Sequence, residues 1–234
     1  MLILNQRKTY NKLPVAWEGI PFIALSLAVT VVLLFLDWKF FAIPMMVLTL
    51  FIIYFFRDPD RIRIPNESAI LTPADGKVLA IEDLPEGDNH YPNGAKKVSI
   101  FMSLFNAHIN RIPISGTITG LSYHPGKFFS ANRDKASIYN ERNIVTLETP
   151  NRARIDFVQI AGLVARRISC WVHEGEVVEA GQRFGLIRFG SRLEVYLPPH
   201  CSIIVTKGQK VKAGQTILGY LGETQDEKQN KAQE

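Results

Sequence analysis

Arg188-Phe189-Gly190-Ser191-Arg192 is the stretch on which the reading of this 234-residue chain turns. Read as one strand, Ile187, Phe189, Ser191, Leu193, Val195 and Leu197 share a face, and Arg188, Gly190, Arg192, Glu194 and Tyr196 share the other, because side chains alternate with period two. The first face is apolar from end to end except for the hydroxyl of Ser191. Gly190 tolerates backbone geometry that other residues do not, and it opens the carbonyl before Ser191 to close approach. The ordinary reading of such a pair is a small core serine, hydrogen-bonded locally beside a bulge glycine. Only the rest of the chain decides against it.

On either side of this stretch lies a repeat. Val172-His-Glu-Gly175-Glu-Val-Val178-Glu-Ala-Gly181-Gln182 matches Val205-Thr-Lys-Gly208-Gln-Lys-Val211-Lys-Ala-Gly214-Gln215. Two copies are too few for a solenoid. Paired β-hammerheads with glycine turns resemble the sandwich of biotinyl and lipoyl carrier domains, and Pro73-Ala74-Asp75-Gly76-Lys77-Val78 has a similar character. Strand-like runs recur upstream between turn signals, at Lys77–Ile81, Lys97–Ser103, Gly116–Tyr123, Asn143–Thr149, Arg154–Ile160 and Ile168–His173. A short helix is expected near Ala161–Arg167. The soluble part, 57–222, therefore reads as a mainly β domain of hammerhead or barrel-sandwich type with few helices, followed by a polar tail, 223–234, expected to be disordered.

The N-terminal quarter is different. Residues 1–19 are polar, with Arg7, Lys8 and Lys12 and no acid before Glu18. Two apolar runs of 17 residues follow, Ile20–Leu36 and Phe40–Phe56, separated by Asp37-Trp38-Lys39. Each is at the short end for a bilayer span, and the charged, aromatic connector suits an interface. Basic residues flank both outer ends, with Arg57, Arg61 and Arg63 after the second run. The positive-inside rule then puts both termini in the cytoplasm, with 20–56 as a two-helix membrane hairpin. A shallow, re-entrant hairpin is the alternative. A cleaved signal peptide fits less well, since a second apolar run follows the first and no small-residue cleavage site stands out.

Bulk composition narrows the partners. A net charge of +5 and a pI of about 9.2, without a long Lys/Arg run, do not suggest nucleic acid; an anionic membrane surface fits better. Cys170 and Cys201 lie far apart and read as reduced, structural thiols. The histidines His90, His108, His124, His173 and His200 are scattered, with no pair at metal-ligand spacing, and no metal is expected.

Four further segments carry chemistry-bearing residues. Pro73-Ala74-Asp75-Gly76 alone is a turn; Phe105-Asn106-Ala107-His108-Ile109-Asn110-Arg111-Ile112-Pro113 sets a His and an Arg three apart after a strand. Tyr123-His124-Pro125-Gly126-Lys127-Phe128-Phe129 ends in paired aromatics suited to a core or to lipid, and Asn140-Glu141-Arg142-Asn143 is a polar turn before a strand. In this order, with Gly190-Ser191 near the C-terminus, they resemble the phosphatidylserine decarboxylase family in its short, prokaryotic form. The resemblance runs from about Arg57 to Gly222 and rests on the P-A-D-G, N-E-R-N and G-S signatures together.

The resemblance implies a self-processing proenzyme. The Ser191 hydroxyl attacks the Gly190 carbonyl to give an ester, and β-elimination splits the chain into 1–190 and the 44-residue 191–234. The serine remnant becomes a covalent pyruvoyl group, the cofactor. Its carbonyl takes the substrate amine as a Schiff base and accepts electrons as carbon dioxide leaves, turning phosphatidylserine into phosphatidylethanolamine in phospholipid biosynthesis. A hydroxyl inside an apolar stripe suits this route, because water would hydrolyse the ester early. Asp75 matches the family's aspartate and is the expected processing base. Longer members carry an H-x-x-H pair where this chain has His108-Ile-Asn-Arg111; arginine cannot serve as a base at neutral pH, so His108, or His124, would take that role. Arg111 would suit a substrate carboxylate or phosphate, with His124 a second substrate-binding candidate.

Expected partners are the phospholipid, the membrane and the complementary chain, with a homodimer common in the family, on the cytoplasmic side of the cell membrane. The headgroup chemistry is shared with the ether lipid archaetidylserine. A different class of function stays open: a membrane-tethered carrier or adaptor without catalysis. Its lipoyl-like tripeptide Asp134-Lys135-Ala136 sits in a polar loop ahead of both hammerhead copies, however, rather than at a hammerhead tip.

Overall fold

A computed structural model describes residues 14–62, 66–87, 90–127, 129–130, 139–162, 167–188 and 190–222. The chain divides into two compact units, Met1–Asp60 and Arg61–Glu234.

In the first unit a short 3-10 turn, Trp17–Gly19, leads into α1 (Ile20–Phe35), and Leu36-Asp37-Trp38 carries the chain into α2 (Lys39–Phe55). The helices coincide with the two apolar runs. Pro sits in the first turn of α1, where a missing N–H costs nothing. Thr30 and Thr49 meet between the helices with hydroxyls 3.2 Å apart, while each also bonds a carbonyl of its own helix. Leu25, Phe35, Phe40 and Leu50 are exposed on the outside. Trp17–Phe35 is the one described helical stretch long and apolar enough to cross a membrane; Lys39–Phe55 is apolar but shorter.

The second unit is built of strands: β1 (Ala69–Leu71), β2 (Gly76–Leu84), β3 (Ala95–Met102), β4 (Ile109–Arg111), β5 (Gly116–His124), β6 (Arg142–Glu148), β7 (Arg154–Ala161), β8 (Ile168–Cys170), β9 (Val177–Val178), β10 (Arg183–Ile187), β11 (Ser191–Leu197), β12 (Ser202–Ile203), β13 (Lys210–Val211) and β14 (Ile217–Tyr220). One curled, eight-stranded sheet runs β13-β2-β3-β11-β7-β6-β5-β9, and two three-stranded sheets run β1-β14-β12 and β4-β10-β8. The core between them holds Val98, Ile100, Ile118, Leu147, Phe157, Phe184, Leu193 and Val195, all essentially inaccessible to water. Burying each such side chain contributes on the order of 1.5–3 kcal/mol.

The sheet order is a palindrome: β13, β2, β3 and β11 match β9, β5, β6 and β7. Individual hydrogen bonds repeat accordingly. Gly175 N–H donates to the Ile118 carbonyl and Gly208 N–H to that of Val78, both at 2.8 Å. Gly181 N–H reaches Ile112 and Gly214 N–H reaches Thr72, again at 2.8 Å. The repeat seen at 172–182 and 205–215 is thus one part of a duplication of the whole unit. One half is β1–β3 with β11–β14; the other, β4–β10, lies between β3 and β11 of the first. The second half passes from β6 to β7 through a tight turn closed by Thr149 N–H on the Ala153 carbonyl, with Arg152 at φ 58°. In the first half, Met102 faces Ser191 at the corresponding place, and Gly190 has φ 69°.

Two sequence expectations change here. The strand running through Ile187–Leu197 is broken: β10 belongs to a small sheet and β11 to the middle of the large one. A positive φ at Gly190 cannot continue a strand, so Ser191 starts one instead. Phe189 lies outside the described residues. The even-numbered face of β11 is polar yet buried at Arg192 and Glu194. Arg192 bonds Glu194 at 2.9 Å and Ser99 at 2.8 Å, and the Tyr196 hydroxyl donates to Glu194 at 2.8 Å. Of the helix expected near Ala161–Arg167, Ala161 ends β7, while 163–166 lie outside the described residues, as do 1–13, 223–234 and the Asp134-Lys135-Ala136 tripeptide.

Candidate active site

Ser191 heads β11 with no exposed surface, flanked in register by Met102 on β3 and Ala161 on β7. Its hydroxyl donates to the Met102 thioether, Oγ to Sδ 3.8 Å. A Cβ added to Gly190 would meet nothing within 4 Å. Freedom from crowding is therefore not what asks for glycine there; the left-handed φ is.

The Asn140-Glu141-Arg142-Asn143 turn supports the strand beside the serine. Asn140 Nδ2 donates at 2.7 Å to the carbonyls of Ala161 and Phe129, and its Oδ1 accepts the Phe129 N–H at 2.8 Å. Glu141 returns its carbonyl to the Ala161 N–H at 3.0 Å. Its carboxylate also acts on Tyr123, whose phenol pKa is raised first by burial and then by that charge.

Beneath Ser191 runs a line of buried amides. Asn143 Nδ2 donates to Gln159 Oε1 at 3.0 Å, Gln159 Nε2 to Asn110 Oδ1 at 2.9 Å, and Asn110 Nδ2 to the same Met102 Sδ at 3.6 Å. Gln159 Nε2 also faces the Ser169 carbonyl at 3.5 Å, which fixes which end of each amide is the donor. Gly185 makes room for the line, since a Cβ there would lie 2.7 Å from Gln159 Nε2 and 2.4 Å from the Ser169 oxygen.

His108, wholly buried, precedes β4 with Nδ1 2.9 Å from the Asn106 carbonyl. A carbonyl only accepts, so the proton sits on Nδ1 and Nε2 is the nitrogen able to take one up. Arg111 ends β4, and its guanidinium donates to the Gly181 carbonyl at 2.9 Å, in the turn closed by Gln182 N–H on the Glu179 carbonyl. The Asp75 carboxylate is held by Arg61 at 2.8 and 3.1 Å and by the Ala213 N–H at 2.7 Å. Ser115 Oγ accepts the Ala180 N–H at 3.0 Å in the matching position of the other half. His124 ends β5 with its Nε2 3.0 Å from the Ser122 hydroxyl.

The structure thus brings Gly190, Ser191 and the segment after His108 together around Met102. Asp75 precedes Gly76 at the head of β2, which β3 separates from β11, and His124 ends β5, which β6 and β7 separate from β11. Sequence reasoning missed Met102, Gln159 and Arg61 as members of the site. Gln159 carried a signal, being a lone amide in the apolar run Phe157–Ile160. Burial raises the pKa of both thiols, Cys201 to about 11, which keeps them protonated and unreactive. No cluster of three or more His, Cys, Asp or Glu suited to a metal ion is found among the described residues.

Ser191 is thus sealed at the head of a central strand, behind a left-handed glycine and beside a line of buried amides. The family model for phosphatidylserine decarboxylase matches residues 48–219. The phosphatidylserine decarboxylase proenzyme of Syntrophus aciditrophicus is 50% identical over 209 residues, covering 88% of this chain and 96% of that protein. That of Geotalea uraniireducens is 47% identical over 208 residues, covering 89% and 97%, and that of Ruegeria pomeroyi 46% over 220, covering 93% and 100%. The chain belongs to the phosphatidylserine decarboxylase family.

Proposed function

We propose that this chain is a proenzyme that cuts itself between Gly190 and Ser191 and then decarboxylates phosphatidylserine to phosphatidylethanolamine. The observation that carries the reading is the buried Ser191 hydroxyl beside the left-handed Gly190, within a match that spans most of the proenzymes named above. The pyruvoyl group left by Ser191 supplies an electrophilic carbonyl for the substrate amine and a sink for the electrons released with carbon dioxide. The residues around Ser191 fit such a group: the Met102 thioether offers an apolar wall where the serine Cβ would end as a methyl. Asn140 fixes the neighbouring strand through Ala161, and His108 Nε2 is a proton acceptor two residues before Asn110 of the amide line. Arg61 and Ala213 hold the Asp75 carboxylate, the proposed processing base, through charge-assisted bonds.

A lipid substrate fits the surface. Leu104 and Phe105 are exposed in the turn after β3, two and three residues beyond the Met102 that faces Ser191, Phe105 at 68%. The apolar outer faces of α1 and α2 support a membrane anchor, the two-helix hairpin with both ends in the cytoplasm expected from charge. We place the catalytic unit on that side, as large chain 1–190 with small chain 191–234, in a dimer. Intact mass of the purified protein tests the central claim. Two chains meeting at 190/191, the smaller closed to Edman degradation, are expected; a single chain after prolonged folding at neutral pH would overturn it.

A milder change probes the turn. Gly190→Ala meets no atoms, but it places a side chain at a left-handed φ, which costs about 1–2 kcal/mol. The variant is expected to keep its thermal midpoint within a few degrees and to split about tenfold more slowly. The half-time of splitting on a denaturing gel measures it.

A further inference from the structure

Resting on the Ser191 reading, we propose that Asn110 is the hydrogen-bond donor that receives the Ser191 oxygen as the chain breaks. Asn110 Nδ2 and Ser191 Oγ both point at one atom, the Met102 sulfur, at 3.6 and 3.8 Å. A thioether is a weak acceptor, so in the uncut chain two donors share one poor partner. All three residues are fully buried, which shuts out water as a better one.

Ester formation changes the match. Once Oγ is acylated by Gly190 it has lost its proton and can only accept, so one of the two donors becomes an acceptor beside the other. In the elimination a base removes the Ser191 Cα proton, a Cα–Cβ double bond forms, and the Cβ–Oγ bond breaks. The electron pair stays on Oγ, now part of the Gly190 carboxylate. A fixed N–H aimed at an oxygen that gains charge in the transition state lowers that barrier, and it needs no reorganisation at the moment of reaction. Asn110 is so fixed: Gln159 Nε2 occupies its Oδ1, Asn143 occupies Gln159 Oε1, and the Ser169 carbonyl sets the direction of the line. The Asn143 end ties this donor to the Asn140–Asn143 turn, so the turn acts on both neighbours of the serine.

The test separates the two steps of processing. Asn110→Leu, in the full chain, is expected to form the ester but to eliminate about 100-fold more slowly. Hydroxylamine should then cut the variant at 190/191 and release a 191–234 chain with a Ser191 terminus open to Edman degradation, where the wild type gives a blocked one. A folded Asn110→Leu that splits at the wild-type rate overturns the inference, and so does one that stays whole in hydroxylamine. Should Asn110→Leu fail to fold, Asn110→Ser and Asn110→Ala decide. The first keeps a donor and the second loses it, so the ester should accumulate only in the second, and equal behaviour overturns the inference. A wild-type chain that never splits would instead sink the Ser191 reading itself, and this inference with it.

Discussion

Ser191→Ala leaves one uncut chain, visible as a single mass, with no measurable release of carbon dioxide from phosphatidylserine. The effect is total because, on the proposed function, one oxygen serves twice: it is the nucleophile that opens the chain, and its departure creates the group that reacts with substrate. Stability should hardly move. Among the described residues the Ser191 hydroxyl bonds a thioether, at 3.8 Å, and removing a hydroxyl so weakly bound leaves no strong partner stranded there. The thermal midpoint is therefore expected within a few degrees of the wild type, so loss of splitting cannot be blamed on loss of fold. A Ser191→Ala chain that still divides at 190/191 would remove this residue from the chemistry altogether.

Asp75→Asn is the second large effect. The carboxylate accepts from Arg61 through both oxygens and from the Ala213 N–H, with both side chains of the ion pair 12% exposed. The asparagine oxygen can still accept the Ala213 N–H, whereas Asp75→Ala strands a guanidinium and an amide at once, which costs about 3–5 kcal/mol for a buried pair. Asparagine therefore tests the charge while sparing the turn. If Asp75 takes a proton during processing, Asp75→Asn should fold and split at least about 100-fold more slowly, the loss typical of a missing general base. A variant that splits at the normal rate would leave Asp75 as the structural counterpart of Ser115, a side chain that closes a hammerhead turn and no more.

Several features were legible because they are local. The two apolar runs became α1 and α2 within a residue of their expected ends, since a long stretch free of charge has few other ways to satisfy its backbone. Alternation placed β2, β3, β5, β6 and β7, and Gly190-Ser191 stood out against an apolar face. What stayed hidden depends on distant pairing. The amide line joins Asn110 to Gln159 across 49 residues and Asn143 to Gln159 across 16, and no spacing rule connects them. The duplication was visible only in its C-terminal parts. In the N-terminal parts the matching strands are separated by unequal loops, 85–94 between β2 and β3 against 125–141 between β5 and β6. The break at 188–190 escaped because period two runs on across a turn when the next strand happens to resume in phase.

The proposed cleavage before Ser191 would turn the head of β11 into a chain terminus. New chain ends normally fray, because nothing holds their last residues. Here the end created at Ser191 is laced to β3 from Ser191 to Leu197 on one side and to β7 from Ser191 to Tyr196 on the other. On the proposed function the reactive terminus would arise already immobilised, at the centre of a sheet rather than at its edge. Its carbonyl would stay with the sheet, and the lipid headgroup would have to come to it.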